Sequence, residues 1–139
     1  MSFRAIISFD GNCREAVTFY AKLFGQDTPR FLTYDEGGAS LGPDRQVSNI
    51  MKSRVLSTSL HIADAVVEFC DSPDAFGFIR GNHMFLTVTY ENPDEAEIVF
   101  DLLSDQGYVD VPFSRTQGGN YYGSVEDRFH TCWIIKSKA

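Results

Sequence analysis

The stretch AVVEFCD, residues 65–71, sets a carboxylate, Glu68, among Val66, Val67 and Phe69. A carboxylate is costly to bury without a partner. Glu68 therefore turns to water or to a neighbouring arginine, unless a site holds it. Ser59-Leu60-His61, and Cys132 with His130, put potential nucleophiles near imidazoles in sequence, but no third group is evident to orient either base. His83 opens a strand-like segment, where a lone imidazole is either an ordinary surface residue or one that looks into a cavity. Cys13, Cys70 and Cys132 are too few and too scattered for a disulfide framework, and no pair has the two-residue spacing of a zinc knuckle or redox motif. Phe85, Tyr121, Tyr122 and Trp133 are able to wall a flat ligand, although core packing is the commoner use of such rings.

The elements that must position these groups are written twice. In FDGNCREAVTFYAKLFG, residues 9–25, Asn12 caps a helix and Glu15 completes a capping box. Ala16, Phe19, Tyr20, Leu23 and Phe24 follow at the steps of one buried stripe, and Gly25 lets the chain leave. In YENPDEAEIVFDLLSDQG, residues 90–107, Asn92 caps, Pro93 takes the first helical position, and Ala96, Val99, Phe100 and Leu103 make the stripe up to Gly107. Asn12 and Asn92 stand 80 residues apart, and N-x-x-E-A recurs at that offset without a gap.

A strand precedes each helix. Phe3, Ala5, Ile7 and Phe9 share one strand face; His83, Phe85, Thr87 and Thr89 share another. Three strand-like segments follow each helix, at 28–34, 54–62 and 65–70, then at 108–113, 120–125 and 130–136. The spacing predicts a long polar loop from Asp35 to Ser53 and a turn-rich linker over 71–82. Each half is then β-α-β-β-β. One helix covers only one face of a four-stranded sheet, so two copies pair their sheets around a shared cup. The expected fold class is α+β: two tandem βαβββ modules with curved mixed sheets forming a cup, in a single domain over 1–139. Module one covers about 1–72 and module two about 80–139.

The composition bounds the partners. Twelve basic residues against 19 acidic give a net charge of −7, and the longest basic cluster is Lys136-Ser137-Lys138. No nucleic acid and no anionic membrane is expected as a partner. No apolar run approaches the ~20 residues of a membrane span and no leader pattern opens the chain, so the expected location is cytoplasmic.

FDGNCREAVTFYAKLFG, CDSPD, GNHMFLTV and YYGSVEDRFHTCWII at 121–135 together resemble the PhnB-like branch of the glyoxalase/bleomycin-resistance/dioxygenase superfamily, also called vicinal oxygen chelate (VOC). The resemblance covers nearly the whole chain outside the loop from Asp35 to Ser53. It implies paired βαβββ modules assembled as a homodimer. Metal-dependent members hold a divalent ion with His, Glu or Gln side chains from the first and fourth strands of each module, to polarise substrate oxygens. Counted onto this chain, those positions fall on Ala5, Glu68, His83 and Ile134, and the ungapped repeat puts Phe85 rather than His83 in the third. Alanine and isoleucine cannot coordinate. The family histidine of the third strand aligns with the segment from Ser57 to Leu60, His61 lies beyond it, and the glycine that follows Asp-Lys-Phe in the family is His130 here. Some members of this branch carry a demethylubiquinone methyltransferase label, but Gly37-Gly38 and Gly118-Gly119 are not followed by the helix that a nucleotide-binding turn needs.

The resemblance and the residues together imply a metal-free small-molecule-binding protein of the bleomycin-resistance type, with an apolar or planar ligand and no cofactor. The expected pocket comprises Ile7, Phe9, Glu68, His83, Phe85, Tyr122 and Trp133. The alternative is a metal-dependent lyase, isomerase or dioxygenase using Glu68 and His83.

Overall fold

The computed structural model describes residues 1–37, 47–73 and 78–139. Residues 38–46 of the expected loop between Asp35 and Ser53, including Gly38, and residues 74–77 at the centre of the expected linker lie outside the described residues. The chain divides into two compact units, Met1–Ile79 and Arg80–Ala139. No described helix is long and apolar enough to cross a membrane.

Unit one runs β1 (Ala5–Phe9), α1 (Cys13–Leu23), β2 (Leu32–Thr33), α2 (Tyr34–Gly37), β3 (Val55–Ile62) and β4 (Ala65–Asp71). Unit two runs β5 (Leu86–Tyr90), α3 (Pro93–Ser104), β6 (Tyr108–Arg115), β7 (Tyr121–Glu126) and β8 (Cys132–Ser137). The sheet orders are β1-β4-β3-β2 and β5-β8-β7-β6. The β1–β4 and β5–β8 pairs are parallel, and the remaining pairs are antiparallel. The fold is therefore α+β, with two tandem modules built on mixed sheets. Three elements differ from the sequence reading. β2 is only two residues long, β5 begins at Leu86 and leaves His83 and Phe85 ahead of it, and a four-residue α2 opens the long loop.

The two helices begin differently despite their shared motif. In α3 the Asn92 side chain accepts from the Asp94 N–H at 2.8 Å, and Pro93 opens the helix, as its sequence predicts. In α1 the Asn12 side chain makes no capping bond. The donors instead go to a carboxylate at the end of β4: Asp71 Oδ1 accepts from Gly11 N–H at 2.9 Å and from Cys13 N–H at 3.0 Å. Asp71 Oδ2 accepts from Val55 N–H at 2.9 Å, and the Asp71 carbonyl accepts from the Tyr34 hydroxyl at 2.7 Å. Asp71 is fully buried, and it ties β4 to the start of α1, to β3 and to α2. The buried stripe of α1 is Cys13, Ala16, Val17, Tyr20 and Ala21, rotated from the expected one so that Phe19 and Leu23 lie at its margin.

Gly11, at φ 90°, has no counterpart before α3. Its N–H donates to Asp71, and its insertion breaks the ungapped repeat. Phe9 pairs with Asp71 and Tyr90 with Ser137, so Phe9 corresponds to Tyr90, and Ala5 to Leu86 rather than Phe85. α1 closes in a Schellman motif, with Gly25 at φ 66°, Gln26 N–H on Ala21 O at 2.7 Å and Gly25 N–H on Lys22 O at 3.3 Å. α3 closes through Gln106, at φ 59°, rather than at Gly107.

Candidate functional site

In each module the helix covers one sheet face. Tyr20 of α1 meets Phe69 at 5.8 Å between ring centroids, and Phe69 meets Phe9 at 6.3 Å. Strand alternation then puts Ile7, Phe9, Val67, Phe69 and Asp71 on the helix side. The opposite, open face carries Ile6 and Ser8 of β1, Val66, Glu68 and Cys70 of β4, and Ser57, Ser59 and His61 of β3. The register arranges them in rows across three strands. Ser59, Glu68 and Ile6 are direct neighbours; one step along Cys70 pairs with Ser8, with Ser57 further along β3; one step the other way His61 pairs with Val66, and Arg4 precedes β1. Adjacent members of a row stand roughly 5 Å apart.

Module two repeats the arrangement. Phe100 of α3 meets Phe113 at a tilt, with ring centroids 5.7 Å apart, Phe113 stacks on Tyr121 at 5.6 Å, and a Cβ on Gly123 would lie 2.7 Å from Phe100. Trp133 and Ile135 share that side and are fully buried. The open face carries Thr87 and Thr89, Ile134 and Lys136, and Tyr122 and Ser124. Ser124 Oγ donates to Asp110 Oδ2 at 3.2 Å.

The expected pocket residues thus fall in three settings. Glu68 and Tyr122 lie on open faces, and Phe85, 45% exposed, sits just ahead of β5. Ile7, Phe9 and Trp133 lie on the helix-facing sides, Phe9 and Trp133 within the cores. His83 is exposed and precedes β5. Ala5, the first-strand metal position by ungapped count, pairs with Val67 on the helix side; the β1 residue beside Glu68 is Ile6.

Glu68 is paired: Arg4 Nη1 lies 3.4 Å from its Oε1, with the two side chains 53% and 31% exposed. Sequence reasoning missed Arg4 as the specific partner, although its position two residues before Ile6 was the available signal. The donor set does not fit the divalent centre implied by the fold. The module-two position equivalent to Glu68 is Ile134, and among the described residues no three His, Cys, Asp or Glu side chains gather to hold an ion. The thiols are not poised as nucleophiles either. Burial, then the charge of Asp71, raises both Cys13 and Cys70, and burial followed by Glu126 raises Cys132.

Asp127 is buried and organises the β7–β8 turn. Its Oδ1 accepts from Phe129 N–H at 2.8 Å and Thr131 N–H at 3.0 Å, and its Oδ2 accepts from the Trp133 indole N–H at 2.9 Å. That bond fixes Trp133 as a structural residue. A cavity of about 610 Å³ lies at the start of α1, lined by Asn12, Arg14, Arg54 and Asp71 among others. The Asp71 carboxylate there is already occupied by backbone donors.

The mixed four-stranded sheets, each with one helix on one face, have close structural counterparts. Protein PA1353 from Pseudomonas aeruginosa superposes with a TM-score of 0.82 at 21% identity, over 99% of this chain and 98% of that one. The PhnB protein from Bacillus cereus gives 0.77 at 23% identity, over 99% of both chains. A glyoxalase/bleomycin resistance protein/dioxygenase family enzyme from Burkholderia phytofirmans PsJN gives 0.58 at 11%, over 99% and 96%. The chain has the VOC fold. In sequence, protein YjdN of Escherichia coli K12 is 20% identical over 147 residues, spanning 97% of this chain and 94% of YjdN. No family model matches.

Proposed function

We propose that this VOC-fold protein binds a small organic molecule on the open faces of its sheets, as a homodimer and without a resident metal. One observation carries the reading. The open face of module one is lined by Glu68, Arg4, three serines and His61, and among the described residues its one charged central-strand residue, Glu68, is met by Arg4 rather than by further metal donors. A face that is merely solvated needs no such mixture on a central strand, and a catalytic metal needs more carboxylates or imidazoles than gather here. Of the aromatic residues expected to wall the ligand, Phe9 and Trp133 belong to the cores, while Tyr122 lies on an open face and Phe85 is exposed.

A thermal-shift screen against a metabolite library tests this directly. A ligand at a hundred times its Kd adds about 2.7 kcal/mol. For a chain of this size that corresponds to a rise in Tm of roughly 8 °C, at about 3 °C per kcal/mol. Chemical-shift mapping of a hit onto Ile6, Ser59 and Glu68 supports the reading; a library that leaves Tm and those signals unmoved refutes it. Stoichiometric metal in protein purified without added ions, lost on Glu68→Ala, refutes the metal-free part, and light scattering checks the dimer.

A further inference from the structure

We propose that the ligand taken up by the open face of module one carries an organic cation, a protonated amine or a guanidinium, and that Arg4 is the internal counter-ion it replaces. The inference rests on the small-molecule reading above and narrows the chemistry of its ligand.

The fixed charge on this face is negative. Glu68 sits on β4, the strand held on both sides by β1 and β3, directly beside Ser59 and Ile6. Its partner is the movable one. Arg4 precedes β1, its side chain is 53% exposed against 31% for Glu68, and the contact is long for a charge-assisted bond at 3.4 Å. Exposed pairs of that kind contribute little to stability, so exchanging Arg4 for another cation costs little. Ser59 stands directly beside Glu68, and Ser8 and Ser57 lie on the same face further along β1 and β3, hydroxyls of a type able to accept the N–H groups of an ammonium or guanidinium that Glu68 alone cannot satisfy. Ile6, Val66 and Cys70 offer apolar surface for the carbon stem. The chain's net charge of −7 raises the local concentration of cations and not of anions. An anionic ligand would have to anchor on Arg4, the marginal group, while facing Glu68 at the centre.

The test is a titration of the full chain, followed by amide chemical shifts, with agmatine, choline, spermidine and tyramine as cationic probes and succinate as the anionic one. Cations are expected to move the signals of Ile6, Ser59, Glu68 and Cys70, with affinity falling as salt rises. Glu68→Gln, nearly isosteric and half-exposed, is expected to weaken binding by about tenfold or more. Arg4→Ala removes the competitor and is expected to tighten binding by up to about fivefold. The opposite signs of the two variants separate this mechanism from a loss of folding, which would weaken both. Succinate binding that is lost in Arg4→Ala and gained in Glu68→Gln overturns the cation and leaves the small-molecule reading standing. Cation shifts spread over the acidic surface and unchanged in Glu68→Gln overturn it as non-specific. Silence from all five probes overturns it as well, and when joined to a silent library it removes both readings.

Discussion

Removing the Asp71 carboxylate should unfasten module one, and the size of the effect follows from its bonds. Asp71→Ala leaves the N–H groups of Gly11, Cys13 and Val55 without the acceptor they reach at 2.9, 3.0 and 2.9 Å. Gly11 N–H is only part-buried and regains water, whereas the other two are buried. An orphaned buried donor costs about 1–3 kcal/mol, so the two together imply roughly 2–6 kcal/mol, centred near 4. Against a typical domain stability of about 5–15 kcal/mol, the variant should still fold, but marginally. The matched asparagines sharpen the test. Asn12→Ala should cost under about 0.5 kcal/mol because its side chain makes no capping bond, while Asn92→Ala should cost about 1 kcal/mol. Urea unfolding followed by far-UV circular dichroism measures all three, read from midpoint shifts at constant m. A cost below about 1 kcal/mol for Asp71→Ala, or equal costs for the two asparagines, refutes the assignment of Asp71 as the cap of α1.

Two further predictions follow from the backbone and the thiols. His130 holds φ 69° and meets Glu126 at 3.3 Å across an exposed pair, so His130→Gly should relieve left-handed strain and stabilise the chain by about 0.5–1 kcal/mol, checked by Tm. Burial raises Cys13 above its ordinary value of 9.0, so the folded state holds that proton longer than the unfolded chain. The thiol therefore costs nothing below pH 9.0, and stability falls as pH rises past it; Cys13→Ala, whatever its own packing cost, should flatten that decline in urea titrations from pH 8 to pH 10.5.

What was legible in the sequence was local. α3 is set by contiguous residues, with Asn92 and Pro93 at its start and Ala96, Val99, Phe100 and Leu103 buried, and each does what its type predicts. α1 reads the same way but is capped from a residue 58 positions downstream of Cys13, which no window along the chain contains. The metal positions were displaced for a related reason. A single extra glycine before α1 shifts the first strand by one residue relative to the repeat, and one residue in a strand exchanges its two faces. Glu68 was singled out correctly as a charge in apolar company, yet its partner lies 64 residues away and meets it only through the parallel β1–β4 pairing.

Aligning the modules by register rather than by sequence separates what packing demands from what it leaves free. Apart from Asp71 and its counterpart Ser137, the helix-facing positions of these paired strands are apolar or aromatic in both copies: Ile7 with Val88, Phe9 with Tyr90, Val67 with Trp133, Phe69 with Ile135. These must fill the space beneath a helix, where a changed volume or an unpaired polar group costs several kcal/mol, on the order of 2–5. On the open faces the copies differ in charge: Glu68 stands where module two has Ile134, and Cys70 where it has Lys136. The fold constrains one surface of each sheet and leaves the other to carry chemistry, so a second copy of the same scaffold need not be a second copy of the same site. Recognition of one charged group needs a counter-charge from only one copy, which is why the asymmetry between the open faces favours a ligand anchored on module one.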